Sequence, residues 1–200
     1  MGVASGAKAF RHKMGKYEVA RRAVFLDRDG VLNRPVVRDG RPHPPARVED
    51  FELYKDVAEG CERLKAAKFL LVVITNQPDV GRGTQSREVI EAMHAKMQAA
   101  LPSLDRIETC YHAGEQYGES CHCRKPRPGL ILRAAAELKI DLGASYVVGD
   151  RWRDIDCART VGCRAIFIER WYKERLRHAP DFTVANFGDA VNALLRDAGV

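Results

Sequence analysis

Five short apolar runs punctuate this chain, at residues 23–26, 69–74, 107–111, 146–148 and 165–168. They are continuous rather than alternating, as a strand must be when both of its faces are covered, and so they read as strands of a parallel sheet. Segments with helical periodicity fill the intervals, at 57–67, 86–100, 128–138 and 154–161, with a last one at 186–195. Thr84 or Ser86 can open the second of these, with Glu88 in its first turn, and Pro128 suits a first helical position. This alternation, with right-handed crossovers, predicts an α/β fold: a three-layer sandwich around a central, mostly parallel sheet.

The first apolar run ends abruptly in Asp27-Arg28-Asp29-Gly30. Carboxylates two apart in a strand-like segment share one side of the backbone, so both can face one metal ion and one phosphate. Taken alone, such a pair is equally a solvated turn. Three further polar clusters change the weighting: Thr75-Asn76-Gln77, Lys125 within Cys123-Arg124-Lys125-Pro126, and Gly149-Asp150-Arg151-Trp152-Arg153-Asp154. Each follows a short apolar segment or precedes a helix-like one, where open α/β sheets place their ligands.

Taken in order from Asp27 to Asp154, these clusters resemble the four motifs of the haloacid dehalogenase (HAD) phosphatase superfamily, namely DxDG[TV], a Thr or Ser after a second strand, a Lys, and GDxxxD. More narrowly, DRDGVLN, TNQ, the Cys-x-His and Cys-x-Cys-Arg-Lys-Pro-x-Pro-Gly cluster and GDRWRD resemble the heptose-bisphosphate phosphatase and histidinol-phosphatase group, over most of residues 23–170. The resemblance implies a HAD-like Rossmannoid fold and a phosphoric monoester hydrolase. Cap domains in this superfamily enter after the first motif or between the second and third. Here 41 residues separate Asn33 from Thr75 and 49 separate Thr75 from Lys125, enough for the elements already assigned, so no cap is expected.

Hydrolysis of a phosphate monoester needs charge neutralisation and an in-line attacker. The expected roles are Asp27 as nucleophile, forming an aspartyl-phosphate, and Asp29 as acid and then base. Mg²⁺ would be held by Asp27, Asp150 and Asp29, the last through its backbone carbonyl. Lys125 would pair with Asp27 and the phosphate, and Thr75 would bond a phosphoryl oxygen with Asn76 close by. Asp154 is expected behind these, orienting Lys125 or metal-bound water. Arg124 and Arg151 would bind a second phosphate or sugar hydroxyls. Residues 34–47, rich in Pro and Arg, read as a solvated loop that could also serve the substrate, and residues 77–83 depart from the Ser-Gly-Ile-Ala expected of heptose enzymes.

Cys110 and His112, then an eight-residue gap after His112, then Cys121 and Cys123, form two close ligand pairs suited to a tetrahedral structural Zn²⁺. A disulfide is the competing reading, disfavoured in a cytoplasmic enzyme and by a polar, Gly-rich 113–120 segment that needs a staple. His122 is expected to face solvent, and Cys61, Cys157 and Cys163 to be buried as small hydrophobes.

With 46% hydrophobic residues among 200, the chain can form one well-packed domain over 23–200, preceded by a basic arm at 1–22. No apolar stretch approaches the roughly 20 residues of a membrane span, so a cytoplasmic protein without membrane contact is expected. The net charge of +6 favours anionic ligands. No aromatic platform accompanies it, which argues against single-stranded nucleic acid. The expected substrate is a small sugar bisphosphate, first D-glycero-D-manno-heptose 1,7-bisphosphate at its 7-phosphate. The alternatives are histidinol phosphate, a nucleic-acid 3′-phosphate, or a degenerate, non-enzymatic zinc-stabilised domain. A monomer is expected.

Overall fold

The apolar runs become strands because neither of their faces reaches water. The structure is a computed structural model and describes residues 20–200. In chain order the elements are β1 (Ala23–Leu26), β2 (Val36–Arg38), β3 (Arg41–His43), α1 (Val57–Ala66), β4 (Leu70–Asn76), α2 (Pro78–Gly81) and α3 (Arg87–Ala100). They continue with β5 (Arg106–Cys110), α4 (Gly129–Leu138), β6 (Tyr146–Gly149), α5 (Trp152–Val161), β7 (Arg164–Ile168), β8 (Phe182–Val184) and α6 (Phe187–Asp197).

Six strands form one sheet in the order β5-β4-β1-β6-β7-β8, and every neighbouring pair is parallel. The chain steps outward from β1 through β4 to β5, then returns to lay β6 along the other side of β1. That reversal opens a crevice beyond the carboxyl ends of β1 and β6. Alternate residues of each strand feed two cores. Val24, Leu26, Leu71, Val73 and Val148 pack with α1, α3 and α6, whereas Ala23, Phe25, Val72, Ile74 and Val147 pack with α4 and α5. Cys61, Cys157 and Cys163 are buried in these layers, as expected. No helix among the described residues is long and apolar enough to cross a membrane.

Ser86 caps α3 by accepting from the Val89 amide, and Asn186 caps α6 the same way from Asp189. Pro128 is the residue before α4 rather than its first helical residue. The expected solvated loop at 34–47 contains a hairpin instead: β2 and β3 pair antiparallel around Asp39 and Gly40, whose φ values are 52° and 74°. Two consecutive left-handed residues make the turn whose twist matches a hairpin, and Asp-Gly is its usual pair. The short edge strand β8 has no apolar run to announce it, since its three residues are all partly exposed.

The basic arm expected over 1–22 lies, through residue 19, outside the described residues. Its last two residues belong to the fold. The Arg21 amide donates to Lys139 O at 3.0 Å, and the Arg22 guanidinium donates to Ala67 O at 3.2 Å while lying 4.4 Å from the centre of the Phe69 ring.

Gly60 lets α1 approach α6. A Cβ there would stand 2.6 Å from a ring carbon of the fully buried Phe187. Replacing an interior helical Gly by Ala ordinarily gains about 1 kcal/mol, whereas forcing a methyl into a packed core costs about 1–3 kcal/mol. Gly60→Ala is therefore expected to lower stability by about 1 kcal/mol in denaturant unfolding, and a stabilised variant would contradict the close packing.

Candidate active site

The carboxyl ends of β1 and β6 deliver Asp27 and Asp150 side by side, and the first turn of α5 adds Asp154. Ligand oxygens of the three lie within 4.8 Å of one another, and all three residues are buried. Two glycines make room for this convergence. Gly30, at φ 97°, could carry no Cβ, which would fall 1.7 Å from Asp150 Oδ2, and a Cβ on Gly149 would fall 2.1 Å from that of Asp154.

Lys125 enters from the segment between β5 and α4. Its ammonium lies 2.9 Å from Asp27 Oδ1 and 2.7 Å from Asp154 Oδ1, and it donates to Ile74 O at 2.8 Å. Burial disfavours the ammonium, yet the Asp154 and Asp27 carboxylates outweigh burial and hold the Lys125 pKa above its usual value. One ammonium does not balance three buried carboxylates. Burial raises the Asp27 pKa to about 6 against the pull of Lys125, and burial together with Asp27 and Asp154 pushes Asp150 well above the carboxylate range. Among the described residues, neither Asp150 side-chain oxygen has a donor in good hydrogen-bond geometry, with only the Tyr172 hydroxyl beside them. Oxygen donors with unanswered negative charge fit a hard divalent cation.

Asp29 stands apart from this cluster. The sequence places both carboxylates of the DxD on one side of a strand, but the strand ends at Leu26 and the chain turns at once. The Gly30 amide donates to Asn33 O and the Leu32 amide to Arg28 O, so residues 27 and 29 are not related by a strand repeat. Asp29 instead accepts from Arg28 Nη2 on both oxygens, at 3.0 and 2.8 Å, from Asn33 Nδ2 at 3.0 Å and from Gln77 Nε2 at 2.8 Å. Asp154, not Asp29, completes the side-chain triad.

Gln77 also donates to Thr75 Oγ1 at 2.9 Å. Asn76 closes a two-way pair with the Lys125 backbone, accepting from its amide and donating to its carbonyl, both at 3.1 Å. Above the acidic floor opens a cleft of about 280 Å³ bordered by Asp27, Asp29, Asn76 and Lys125 and by the arginines Arg41, Arg82, Arg124, Arg151 and Arg153. Mutual crowding is visible: burial, then Arg153 and Arg82, lower the pKa of Arg124. Arg151 is held in a two-nitrogen ion pair with Glu174, one arm at 2.9 Å. The hairpin β2–β3 contributes Arg41 and His43 to the cleft, and α2 contributes Asp79.

Beside the cleft, ligand atoms of Cys110, His112, Cys121 and Cys123 all lie within 4.8 Å of one another. His112 turns Nδ1 inward, 3.5 Å from Cys110 Sγ and 3.2 Å from Cys123 Sγ, and Cys110 and Cys121 sulfurs are 3.8 Å apart. No cysteine pair is bonded, and His122 is exposed. Two Cys–His or Cys–Cys pairs converging at such distances fit a tetrahedral thiolate–imidazole site.

Sequence reasoning missed Gln77, Arg28, His94 and the 169–177 segment. A buried Arg28 between two aspartates carries no sequence signal beyond its position, and Gln77 was visible only as part of TNQ. In the 169–177 segment, the buried Tyr172 hydroxyl lies beside Asp150, and Glu174 answers Arg151.

A folded-state pKa near 6 for Asp27, against an ordinary 3.8, means that the metal-free protein binds a proton more tightly folded than unfolded. This contribution to stability is complete below about pH 4 and is lost as pH rises through about 6. In protein dialysed free of Mg²⁺ without chelator, Tm is expected to fall across that window, and Asp27→Asn to flatten the fall. An equal slope in the variant would refute the charge excess.

A family model described as HAD-hydrolase-like matches residues 122–190. The chain is 38% identical over 144 residues to the D-glycero-beta-D-manno-heptose-1,7-bisphosphate 7-phosphatase of Yersinia pestis, covering 68% of this chain and 73% of that protein. It is 33% identical over 183 residues to the enzyme of the same name from Escherichia coli O6:H1, covering 86% and 93%. Among solved structures, it resembles the D,D-heptose 1,7-bisphosphate phosphatase of B. bronchiseptica complexed with magnesium and phosphate. That likeness has a TM-score of 0.75 at 26% identity, over 88% of this chain and 99% of that one. The expected HAD-like α/β architecture is therefore observed, and the chain belongs to the heptose-bisphosphate phosphatase family of HAD-like hydrolases.

Proposed function

We propose that this protein is a Mg²⁺-dependent phosphatase that removes the 7-phosphate of D-glycero-β-D-manno-heptose 1,7-bisphosphate through a phosphoryl group carried on Asp27. The observation that carries the reading is the buried Asp27–Asp150–Asp154 cluster with Lys125 inserted into it, in a chain 38% identical to enzymes named for that reaction. The magnesium and phosphate of the B. bronchiseptica complex support the choice of ion.

Asp27 attacks phosphorus in line with the sugar oxygen. The phosphorus–oxygen bond to the sugar breaks, and the departing oxygen takes a proton from Asp29. Asp29 then takes a proton from water, which attacks the aspartyl-phosphate, frees inorganic phosphate and restores Asp27. Mg²⁺ would be held by Asp27, Asp150 and the Asp29 carbonyl and would supply neutralising charge to the transferring group. Lys125, paired with Asp27, adds to the neutralisation, while Thr75 offers its hydroxyl proton, since its oxygen already accepts from Gln77. Asn76 fixes the Lys125 backbone. Arg124 and Arg151 bind the phosphate that is not cleaved, the latter by exchanging Glu174 for substrate.

Zn²⁺ on Cys110, His112, Cys121 and Cys123 is a structural staple in this reading. Four protein ligands leave no position for water, so its role is to hold the loop that presents Arg124 and Lys125.

With Mg²⁺, phosphate release from the β-anomer of heptose 1,7-bisphosphate is expected to exceed that from the α-anomer, histidinol phosphate and a 3′-phosphorylated oligonucleotide by ~100-fold in kcat/KM, about 2.7 kcal/mol of transition-state discrimination. Asp27→Asn should abolish it, and equal slow rates on all four would refute the substrate. Protein purified without chelator is expected to hold one zinc per chain in a metal assay. A value well below one would remove the staple.

A further inference from the structure

Beside Asp29 lies a charged side chain with no access to solvent, that of Arg28. It is the largest such side chain in the core. Its Nη2 grips both oxygens of Asp29, and its Nη1 lies 3.1 Å from Nε2 of His94 on α3. Its Nε has no partner, and the Phe51 ring, 5.7 Å away, supplies only a weak contact. Among the described residues, His94 is therefore the hydrogen-bond partner that fixes the far side of this guanidinium.

The geometry dictates the state of the imidazole. Guanidinium nitrogens only donate, so Nε2 of His94 must accept, and the ring proton must sit on Nδ1. Nδ1 faces Glu91 Oε2 at 3.5 Å, and Glu91 in turn accepts from the Tyr111 hydroxyl at 2.5 Å. Tyr111 lies between Cys110 and His112. Burial and the neighbouring Arg28 lower the His94 pKa to about 4, in accord with a neutral ring.

We infer that His94 is a positioning residue for Asp29, acting through Arg28, and that it sustains the proton transfer to the leaving oxygen. The inference rests on the reading of Asp29 as that proton donor. A guanidinium held at one end only can pivot about its stem, and the Asp29 carboxylate, bonded to it on both oxygens, would be drawn against its remaining single bonds to Asn33 and Gln77. Misplacement of about 1 Å is enough to cost a reacting group much of its effect.

The test exploits leaving groups. A 4-nitrophenolate departs without a proton, whereas a sugar alkoxide needs one, so 4-nitrophenyl phosphate is compared with an alkyl phosphate that the wild-type enzyme turns over, the heptose bisphosphate first. General acid catalysis is worth about 10²–10⁴-fold. On the alkyl substrate, His94→Leu is expected to lower kcat/KM, which reports the steps up to formation of the aspartyl-phosphate and so excludes the later base step common to both substrates, about tenfold or more. The kcat/KM for 4-nitrophenyl phosphate should fall less than about threefold. His94→Gln, whose amide oxygen can accept from Nη1, should keep the alkyl rate within about threefold of wild type. Should the Leu variant fail to fold by circular dichroism, His94→Ala carries the same comparison. Equal losses on both substrates, no loss on either, or a Gln variant as impaired as Leu would overturn the inference. Asp29→Asn, assayed alongside, isolates the premise. If it shows no selective loss on the alkyl substrate, the role of Asp29 itself fails and takes this inference with it. A selective loss in Asp29→Asn without one in His94→Leu refutes His94 alone.

Discussion

The site depends on one buried cation. Three carboxylates brought together away from water repel one another strongly, and they persist in one place only because Lys125 stands between two of them. The fold is arranged to deliver it. Asp27 and Asp150 come from adjacent strands at the reversal of the sheet order, while Lys125 must be carried in from a loop beyond β5. Asn76 ties that loop's backbone to the end of β4, and the Ile74 carbonyl takes the remaining direction of the ammonium. The cluster of Cys110, His112, Cys121 and Cys123 sits immediately before it, so stapling this segment and placing Lys125 are one structural task.

A negative floor beneath a positive rim divides the work of the cleft. The floor's excess charge suits a divalent cation, and the arginines above suit a phosphorylated ligand. The rim is built from separate parts that touch one another. The Lys173 amide donates to Gly40 O in the hairpin, and Arg170 donates to Gly30 O beneath Asp150's neighbour loop. The hairpin, the first-motif turn and the 169–177 segment are thereby joined, although they are far apart in sequence. One of the rim arginines, Arg151, is already paired to Glu174, so that charge is answered within the fold.

Much of this was legible in the chain. The five core strands follow from unbroken apolar runs, because parallel strands covered on both faces leave no polar alternation. Asp27, Lys125, Asp150 and the four Cys and His positions were legible because each is fixed by local spacing at a strand end or loop. The Asp39-Gly40 turn is also written there, but the Pro and Arg around it give its two short strands no apolar alternation. What was not legible depends on contacts between distant segments. Asp29 leaves the acidic cluster because Gly30 turns the chain and Arg28, Asn33 and Gln77 capture its carboxylate. His94 looks like any amphipathic-helix histidine until the fold sets Arg28 against it. β8 is short and half exposed, so periodicity had nothing to register.

The buried cluster is proposed to carry a phosphoryl group on Asp27. Acid quenching during turnover of a ³²P-labelled substrate, followed by digestion and peptide mapping, tests it directly. Label is predicted on the peptide containing Asp27, released by hydroxylamine as an acyl phosphate must be, and absent from Asp27→Asn. Steady turnover with no labelled protein, or label on any other residue, would contradict the account.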